Sequence, residues 1–161
     1  MRLLVGLGNP GGKYESTRHN AGFLLVDSLH DRKIPKDFIV RKSEMFMNES
    51  GIFVKKLVDR YELDVNDLYI AHDDLDIPLG AYKIQFGIGP KIHNGVNSVE
   101  RELGTKDFWR IRIGVDNRKP DERIQGEEYV LQYFTEEERK ILNSIITEIC
   151  KKLATSSINT N

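Results

Sequence analysis

The stretch that most constrains this chain is residues 6–22, which read GLGNPGGKYESTRHNAG. It follows a short apolar run, Leu3 to Val5, that predicts a first β-strand. Asn9 therefore lies on a glycine-rich turn at the end of this strand, and His19 comes shortly after the turn. The stretch places two chemically useful side chains close together in sequence, and it narrows the function more than any other part of the chain.

Other polar groups recur in apolar settings further along the chain, and they are Met47-Asn48, the run 72–76 (HDDLD) and His93-Asn94-Gly95. A histidine, a carboxylate and several carboxamides are sufficient to activate water and to hold an ester or amide. A carboxylate at Asp73 would hold one imidazole nitrogen of His19, so that the other nitrogen accepts a proton from water. The sequence thus favours a hydrolytic site with His19 as its base.

Each of these residues also has an alternative interpretation. A histidine near a helix start is often a capping or surface residue, and asparagine is frequent in turns because its side chain mimics backbone hydrogen bonding. The acidic run is also typical of a solvated turn that caps a strand. A metal site is a further alternative, although no ligand spacing is diagnostic; the candidate ligands are His72, Asp73, Asp74, Asp76 and His93.

The glycines of the first turn do not indicate a nucleotide site. Gly6, Gly8 and Gly11 match G-x-G-x-x-G after a strand, but that fingerprint needs the third glycine to open a helix. Here Pro10 stiffens the turn and the chain continues as a loop. A phosphate-binding loop of the Walker type is excluded as well, because Lys13 is followed by Tyr14.

Strand-like and helix-like runs alternate along the chain, which predicts an α/β layered fold in one domain, residues 1–161. The predicted strands are 2–7, 38–41, 68–72, 81–86 and 109–115. Helices are predicted after Thr17, after the MFMNESG segment, over 94–103, and from Thr135 onward. Thr135 and Glu138 form a predicted capping box for the last helix, whose apolar stripe is Ile141, Leu142, Ile145, Ile149 and Leu153.

Net charge, cysteine content and hydropathy limit the binding partners and the cellular compartment that fit this chain. The net charge of −1 argues weakly against indiscriminate nucleic-acid binding, although a local basic patch remains compatible with it. The single cysteine, Cys150, excludes an intramolecular disulfide and is expected to pack in the last helix. The chain begins without an apolar leader, and it contains no stretch long enough to cross a bilayer. We therefore expect a cytoplasmic protein.

Six sequence blocks occur in the order found in one known family. They are GLGNPGGKYESTRHNAG, FMNESG (46–51), AHDDLDIPLG (71–80), HNGVNS (93–98), LGT with FWRIRIGV (103–115) and YVLQYF (129–134). On these blocks the chain resembles the bacterial peptidyl-tRNA hydrolases over nearly its whole length. The resemblance implies a twisted mixed β-sheet surrounded by helices. It also implies hydrolysis of the ester that joins a peptide, or an N-blocked amino acid, to the 3′ end of tRNA.

The resemblance also assigns roles to residues. It makes His19 the general base, Asp73 its orienting carboxylate, and Asn9 a contact to the 3′-terminal adenosine or the ester. Asn48 and Asn94 would hold the peptide main chain and help to place the water. Further substrate contacts are expected from Tyr14, from Met47 in the cleft wall and from His93 at the cleft entrance. No metal and no cofactor are implied, and we expect a monomer without an obligate protein partner.

The chain departs from the family where tRNA would be gripped. The segment 33–45 is shorter than usual, the loop 87–92 is bulkier because of Pro90-Lys91-Ile92, and Gln85 replaces a lysine. We therefore assign the tRNA phosphate contact to Arg112, with an internal salt bridge to Asp116 or Glu122 as the alternative. Two other functions stay open on the sequence: a non-catalytic RNA-binding relative of the family, and a metal-dependent hydrolase.

Overall fold

The computed structural model describes residues 1–155 of the chain. The strands are β1 (Arg2–Gly6), β2 (Phe38–Lys42), β3 (Leu68–Pro78), β4 (Tyr82–Phe86) and β5 (Trp109–Asp116). The helices are α1 (Ala21–Asp31), α2 (Ser50–Arg60), α3 (Asn94–Leu103), α4 (Gly126–Tyr129) and α5 (Glu136–Ala154). Short 3₁₀ turns include Gly12–Tyr14, Arg18–Asn20 and Met47–Glu49. No helix within this described part of the chain is both long and apolar enough to cross a membrane.

The five strands form one sheet in the order β2-β1-β3-β5-β4. Neighbours among β2, β1, β3 and β5 pair in parallel, and β4 pairs antiparallel with β5 at the edge. The mixed sheet predicted from the sequence is thus confirmed.

Both faces of the sheet are covered by helices, which explains why the middle of β1, Leu3 to Val5, is continuously apolar. Leu4 packs in a cluster with residues of α1 and α5. Leu3 and Val5 point the other way, into a cluster with residues of α2 and α3. A parallel strand buried on both faces needs a continuous apolar run, because neither side chain direction meets water.

The strand order places a crevice between β1 and β3. From β1 the chain crosses to β2 on one side, and it returns to β3 on the other side. Connections that leave in opposite directions open a gap at the carboxyl ends of the two strands, where ligands bind in open α/β sheets. Asn9 follows β1 and Asp73 lies in β3, so the fold brings both to this gap.

Three local predictions were wrong. The run 72–76 is part of β3, which continues to Pro78, and it is not a turn after the strand. The helix predicted directly after Thr17 begins only at Ala21, because the 3₁₀ turn Arg18–Asn20 lies between them. Ile141 is exposed on α5, while its neighbours Leu142 and Ile146 are buried, because the buried stripe is rotated by one position.

Two predictions about α5 are confirmed. Thr135 accepts a hydrogen bond from the Glu138 backbone N–H, and the Glu138 side chain accepts one from the Thr135 N–H, which makes a capping box. Cys150 is buried among core residues of α5 and α1. It therefore serves packing.

Candidate active site

The predicted base and its carboxylate are in direct contact. His19 Nδ1 lies 2.8 Å from Asp73 Oδ2. The Asp73 side chain is 2% exposed and that of His19 is 13% exposed, so the imidazole covers the carboxylate and still reaches the cleft. The two residues come from the turn before α1 and from β3, 54 positions apart in the chain.

A close approach of α1 to the sheet makes this contact possible. Gly22, in the first turn of α1, packs against backbone atoms of Leu7 and Ala71, and an added Cβ would collide with the Ala71 carbonyl oxygen. Only glycine permits this separation at the helix start. The turn that carries His19 is thereby held within hydrogen-bonding distance of Asp73.

His93 supports the same carboxylate from the opposite side. Its Nε2 lies 2.7 Å from Asp73 Oδ1, and its Nδ1 accepts hydrogen bonds from the backbone N–H groups of Gly95 and Val96 at 3.1 Å each. Since Nδ1 faces two donors, it must carry a lone pair, and the proton of the neutral ring is on Nε2. His93 therefore caps α3 and donates to Asp73.

These bonds determine which nitrogen of His19 is basic. The Asp73 carboxylate accepts one N–H from His93 and a second from His19 Nδ1. The remaining nitrogen of His19, Nε2, then holds a lone pair. The arrangement presents a proton acceptor at the cleft, which is the requirement for a general base acting on water.

The charges at the site follow the same geometry. Burial lowers the pKa of His19, but the charge of Asp73 and the hydrogen bond to it outweigh burial, and the net shift is upward from 6.5. For Asp73, burial raises the pKa, while His19 and His93 lower it further, so the carboxylate stays ionised. Complete burial and the neighbouring His93 lower the pKa of His72 to about 3, so this ring is neutral.

The residues proposed as metal ligands do not converge as a set. Asp74 pairs with Arg112, Asp76 accepts from the Lys91 backbone, and His72 bonds the carbonyl of Asp73. In the described residues, ligand atoms of His19, Asp73 and His93 do lie within 4.8 Å of one another.

Hydrogen bonding accounts for that trio without a metal ion. A cation on His93 Nε2 would require the proton to move to Nδ1, where it would face two backbone N–H donors. The geometry thus favours a hydrogen-bonded series of His93, Asp73 and His19 over coordination of a metal ion.

The hydrogen-bonded series faces a cleft of about 980 Å³. Its lining includes Asn9, Tyr14, His19, Met47, Asn48, Asp73, His93 and Asn94, so the structure brings together all the predicted site residues except Arg112. Asn48 and Asn94 are exposed, and Met47 is a buried part of the wall. Tyr14 packs edge-on against Phe46, with ring centroids 6.4 Å apart.

Asn9 has a fixed orientation at the cleft. Its Oδ1 accepts a hydrogen bond from the Met47 backbone N–H at 2.8 Å, which assigns the oxygen and nitrogen of the carboxamide. Among the described residues, no partner engages its Nδ2, which makes this group a donor available to a bound substrate.

Two predicted positions need correction. His93 is 6% exposed and lies in the wall of the cleft in contact with Asp73, so it is buried and not at the entrance. Arg112 is 7% exposed, and its Nε donates to Asp74 Oδ2 at 2.7 Å while a terminal nitrogen donates to Gln85 at 2.7 Å. The phosphate contact assigned to Arg112 is therefore withdrawn. The internal ion pair is present, but its partner is Asp74 and not Asp116 or Glu122.

The loop before α3 is held by the other arginine of β5, Arg110. Arg110, which is 1% exposed, donates to the Gly89 carbonyl oxygen and to Glu100 at 2.7 Å each. Lys91 N–H donates to Asp76, which ties the other side of the loop. The bulky loop is thus anchored, and Ile92 is 84% exposed at the rim of the cleft.

Sequence reasoning missed two buried polar groups that shape the site. Asn20, next to His19, is 1% exposed and binds the backbone of Asn9. Arg18, on the other side of His19, forms an ion pair with Glu138, in which Arg18 Nη2 donates to Oε1 at 2.8 Å and to Oε2 at 3.0 Å. The only available signal was their position in the block TRHNAG, which does not distinguish buried from exposed residues.

The crevice between β1 and β3 holds an imidazole that is fixed by a carboxylate and faces carboxamides. This fold and this site define the class of the protein, which is a hydrolytic enzyme that acts through an activated water. Comparison with known proteins makes this specific. The family model described as peptidyl-tRNA hydrolase matches residues 3–160, and the chain belongs to this family.

Individual relatives agree with this assignment. A peptidyl-tRNA hydrolase of Sulfurovum sp. strain NBC37-1 is 38% identical, and the match covers 99% of this chain and 92% of that protein. One from Bacillus cereus strain Q1 is 40% identical, with 91% and 87% covered. The crystal structure of the peptidyl-tRNA hydrolase from Acinetobacter baumannii matches with a TM-score of 0.80 at 29% identity, covering 95% and 86% of the two chains.

Proposed function

We propose that this chain hydrolyses the ester bond between a peptide, or an N-blocked amino acid, and the 3′ end of tRNA. The observation that supports this most strongly is the hydrogen-bonded series His93, Asp73 and His19, which leaves a basic nitrogen at the cleft. An ester is a modest electrophile, so an oriented water, a base and amide donors are sufficient.

The reaction begins at His19 Nε2, which takes a proton from water. The water oxygen bonds to the ester carbonyl carbon, and the carbonyl π electrons move to its oxygen. Asn9 Nδ2 donates a hydrogen bond to this oxyanion, and Asp73 stabilises the imidazolium that has formed. The carbonyl then re-forms, the bond to the terminal ribose oxygen breaks, and His19 returns its proton to that oxygen.

The carboxamides of Asn48 and Asn94 suit a neutral peptide main chain. Both are exposed in the same cleft as His19 and have donors and acceptors to offer. A cationic α-amino group has donors but no acceptor, so it would leave the amide N–H donors of these residues unpaired. The edge-on pair of Tyr14 and Phe46 supplies an aromatic surface for the terminal adenosine.

The non-catalytic RNA-binding alternative is disfavoured by the site itself. A binding module has no need of a buried carboxylate that fixes the tautomer of a partly exposed histidine. We further propose that the chain acts in the cytoplasm, as a monomer and without an obligate protein partner.

One assay tests this function. Purified protein is mixed with N-acetyl-Phe-tRNA or with Phe-tRNA on the same tRNA body, with and without a chelator. We expect rapid hydrolysis of the N-acetylated ester, slow hydrolysis of the free aminoacyl ester, and no effect of the chelator. Equal rates on both substrates would contradict the roles of Asn48 and Asn94, and complete loss with chelator would favour a metal-dependent reaction.

A further inference from the structure

Asn20 is a buried carboxamide that the reaction described above does not use. It is 1% exposed, and both ends of its side chain are engaged by one residue, Asn9. Asn20 Oδ1 accepts from the Asn9 backbone N–H at 2.8 Å, and Asn20 Nδ2 donates to the Asn9 carbonyl oxygen at 3.0 Å. The side chain thus pairs with the main chain of Asn9 as a neighbouring strand would.

These bonds complete the support of Asn9. Its side-chain oxygen is already held by the Met47 N–H, so the backbone N–H, the backbone carbonyl and the side-chain oxygen each have a partner. Among residues 1–155, Nδ2 is the polar group of Asn9 that no other residue engages, and it is left for a substrate. A donor held at three points keeps its direction when charge develops on a substrate oxygen, and it needs no reorganisation.

The support for Asn9 comes from the same turn as the base. Asn20 follows His19 directly, and both belong to the 3₁₀ turn Arg18–Asn20. The backbone of this turn is itself tied down, because His19 N–H donates to Val130 O and Asn20 N–H donates to Thr17 O. The same turn therefore carries His19, which accepts the proton, and Asn20, which holds Asn9 in place.

We propose that Asn20 is a positioning residue that sets the distance between His19 Nε2 and Asn9 Nδ2. Water and the ester carbonyl must fit between these two groups, so their separation decides whether attack is possible. The inference rests on the proposed function and names a determinant of the same site. Asn20 touches no substrate in this account and acts only through Asn9.

The carboxamide is required for a physical reason. Leucine has a similar volume but neither donor nor acceptor, so it would leave two buried backbone groups of Asn9 unpaired. Aspartate keeps the acceptor for the Asn9 N–H, but it sets an oxygen against the Asn9 carbonyl oxygen. We therefore expect Asn20→Leu to be the more damaging change and Asn20→Asp the less damaging.

The expected kinetic effect falls on the chemical step. A misplacement of about 1 Å costs roughly a hundredfold in rate. Asn20→Leu should lower kcat on N-acetyl-Phe-tRNA by about ten- to a hundredfold, whereas KM changes less than about threefold, because most tRNA contacts lie elsewhere. The acidic limb of the Asn20→Leu rate profile should stay at the wild-type pH, since the bond between His19 and Asp73 is untouched.

A double-mutant cycle separates positioning from a merely structural role. In an Asn9→Ala background there is no Nδ2 to direct, so Asn20→Leu should cost less than about threefold. Ser98→Ala is the matched control, because it also removes a buried side-chain partner of a backbone N–H, that of Gly51. Ser98→Ala should lower the unfolding temperature and leave kcat close to wild type.

Amide hydrogen exchange at Asn9 gives a readout that does not need activity. The Asn9 N–H should be protected in the wild type and in Asn20→Asp, and exchange faster in Asn20→Leu. A full kcat loss from Asn20→Leu in the Asn9→Ala background, or an unchanged kcat in the single variant, would overturn the inference. If Asn20→Leu does not fold, Asn20→Asp takes its place in the kinetic cycle, where it should lower kcat in the wild-type background and change it little in the Asn9→Ala background. An inactive wild type would instead refute the proposed function.

Discussion

At the scale of single residues, the basicity of His19 is the property on which the account depends. Asp73 both fixes the tautomer and raises the pKa of the ring above 6.5, against the opposing effect of burial. The base is active only when Nε2 is unprotonated, so activity is lost as pH falls through the raised pKa. The acidic limb of the kcat/KM profile should therefore lie above pH 6.5.

Asp73→Asn should move that limb to lower pH. The substitution removes the charge that raises the His19 pKa and leaves the burial that lowers it, so the imidazole stays neutral at lower pH. The rate at neutral pH should nevertheless fall, because the imidazolium loses its stabilising partner. Steady-state rates between pH 5 and 9 test this, and an acidic limb at the wild-type position would mean that Asp73 does not act on His19.

The pairing of His19 with Asp73 was predictable from residue types, but the geometry around it was not. The family resemblance placed His93 at the entrance of the cleft. The structure buries it, because the ring caps α3 and also donates to Asp73. A residue with two partners from different elements has no signature in local sequence. Asn20 escaped notice because its partner, the backbone of Asn9, is 11 positions away in the chain.

At the scale of secondary-structure elements, an ion pair connects α5 to the turn of the base. Arg18 donates to both oxygens of Glu138, which also belongs to the capping box of α5. Burial raises the pKa of Glu138, but its hydrogen bonds and the charge of Arg18 lower it more. This contribution to stability is present above the ordinary pKa of glutamate and is lost as pH falls through the lowered value.

Glu138→Ala should therefore be strongly destabilising. It leaves the guanidinium of Arg18 buried without its anion, which costs about 3–5 kcal/mol in buried pairs. Urea unfolding monitored by circular dichroism at neutral pH measures the loss. Glu137→Ala, in the exposed first turn of the same helix, is the control and should change the unfolding free energy little. Equal effects of the two substitutions would contradict the anchoring role.

The arginines of β5 show how far a pattern can mislead. The strand predicted over 109–115 is confirmed as β5. Its side chains alternate, so Arg110 and Arg112 share one face and Ile111 and Ile113 the other, which on the sequence alone suggests a basic face. The basic face is not exposed, because the two arginines are buried and pair with Asp74, Gln85 and Glu100. These partners lie on other elements, so their proximity follows only from the sheet order.

Arg112→Met should accordingly affect stability more than tRNA binding. Asp74 has no exposed side-chain surface and would be left without its cation, at a cost of about 3–5 kcal/mol. The slope of log KM against log salt concentration should change by much less than the loss of one phosphate contact would cause. Arg101→Met, an exposed position on α3, is the control for loss of charge and should be close to wild type in stability. If the dependence of log KM on log salt concentration were smaller in Arg112→Met by about one counterion, Arg112 would contact a tRNA phosphate after all.

At the scale of the whole molecule, the fold class followed from the alternation of strand-like and helix-like runs, and the mixed sheet followed from the family resemblance. The sheet order pairs the end of β1 with the middle of β3, where Gly6 lies opposite Ala71, and it explains why Asn9 and Asp73 share a site. The path of the tRNA was less predictable. Gln85, where the family has a lysine, accepts from Arg112, so it belongs to an internal network and not to a phosphate site.

The most direct measurement of the central claim is the single-turnover hydrolysis of N-acetyl-Phe-tRNA by His19→Ala at saturating protein. The account predicts a rate lower than wild type by about a hundred- to ten-thousandfold, which is typical for removal of a positioned base. The protein concentration at half-maximal rate should be nearly unchanged, because His19 contributes to chemistry and not to tRNA affinity. If the variant retains most of the wild-type rate, another group activates the water, and the mechanism built on His19 is wrong.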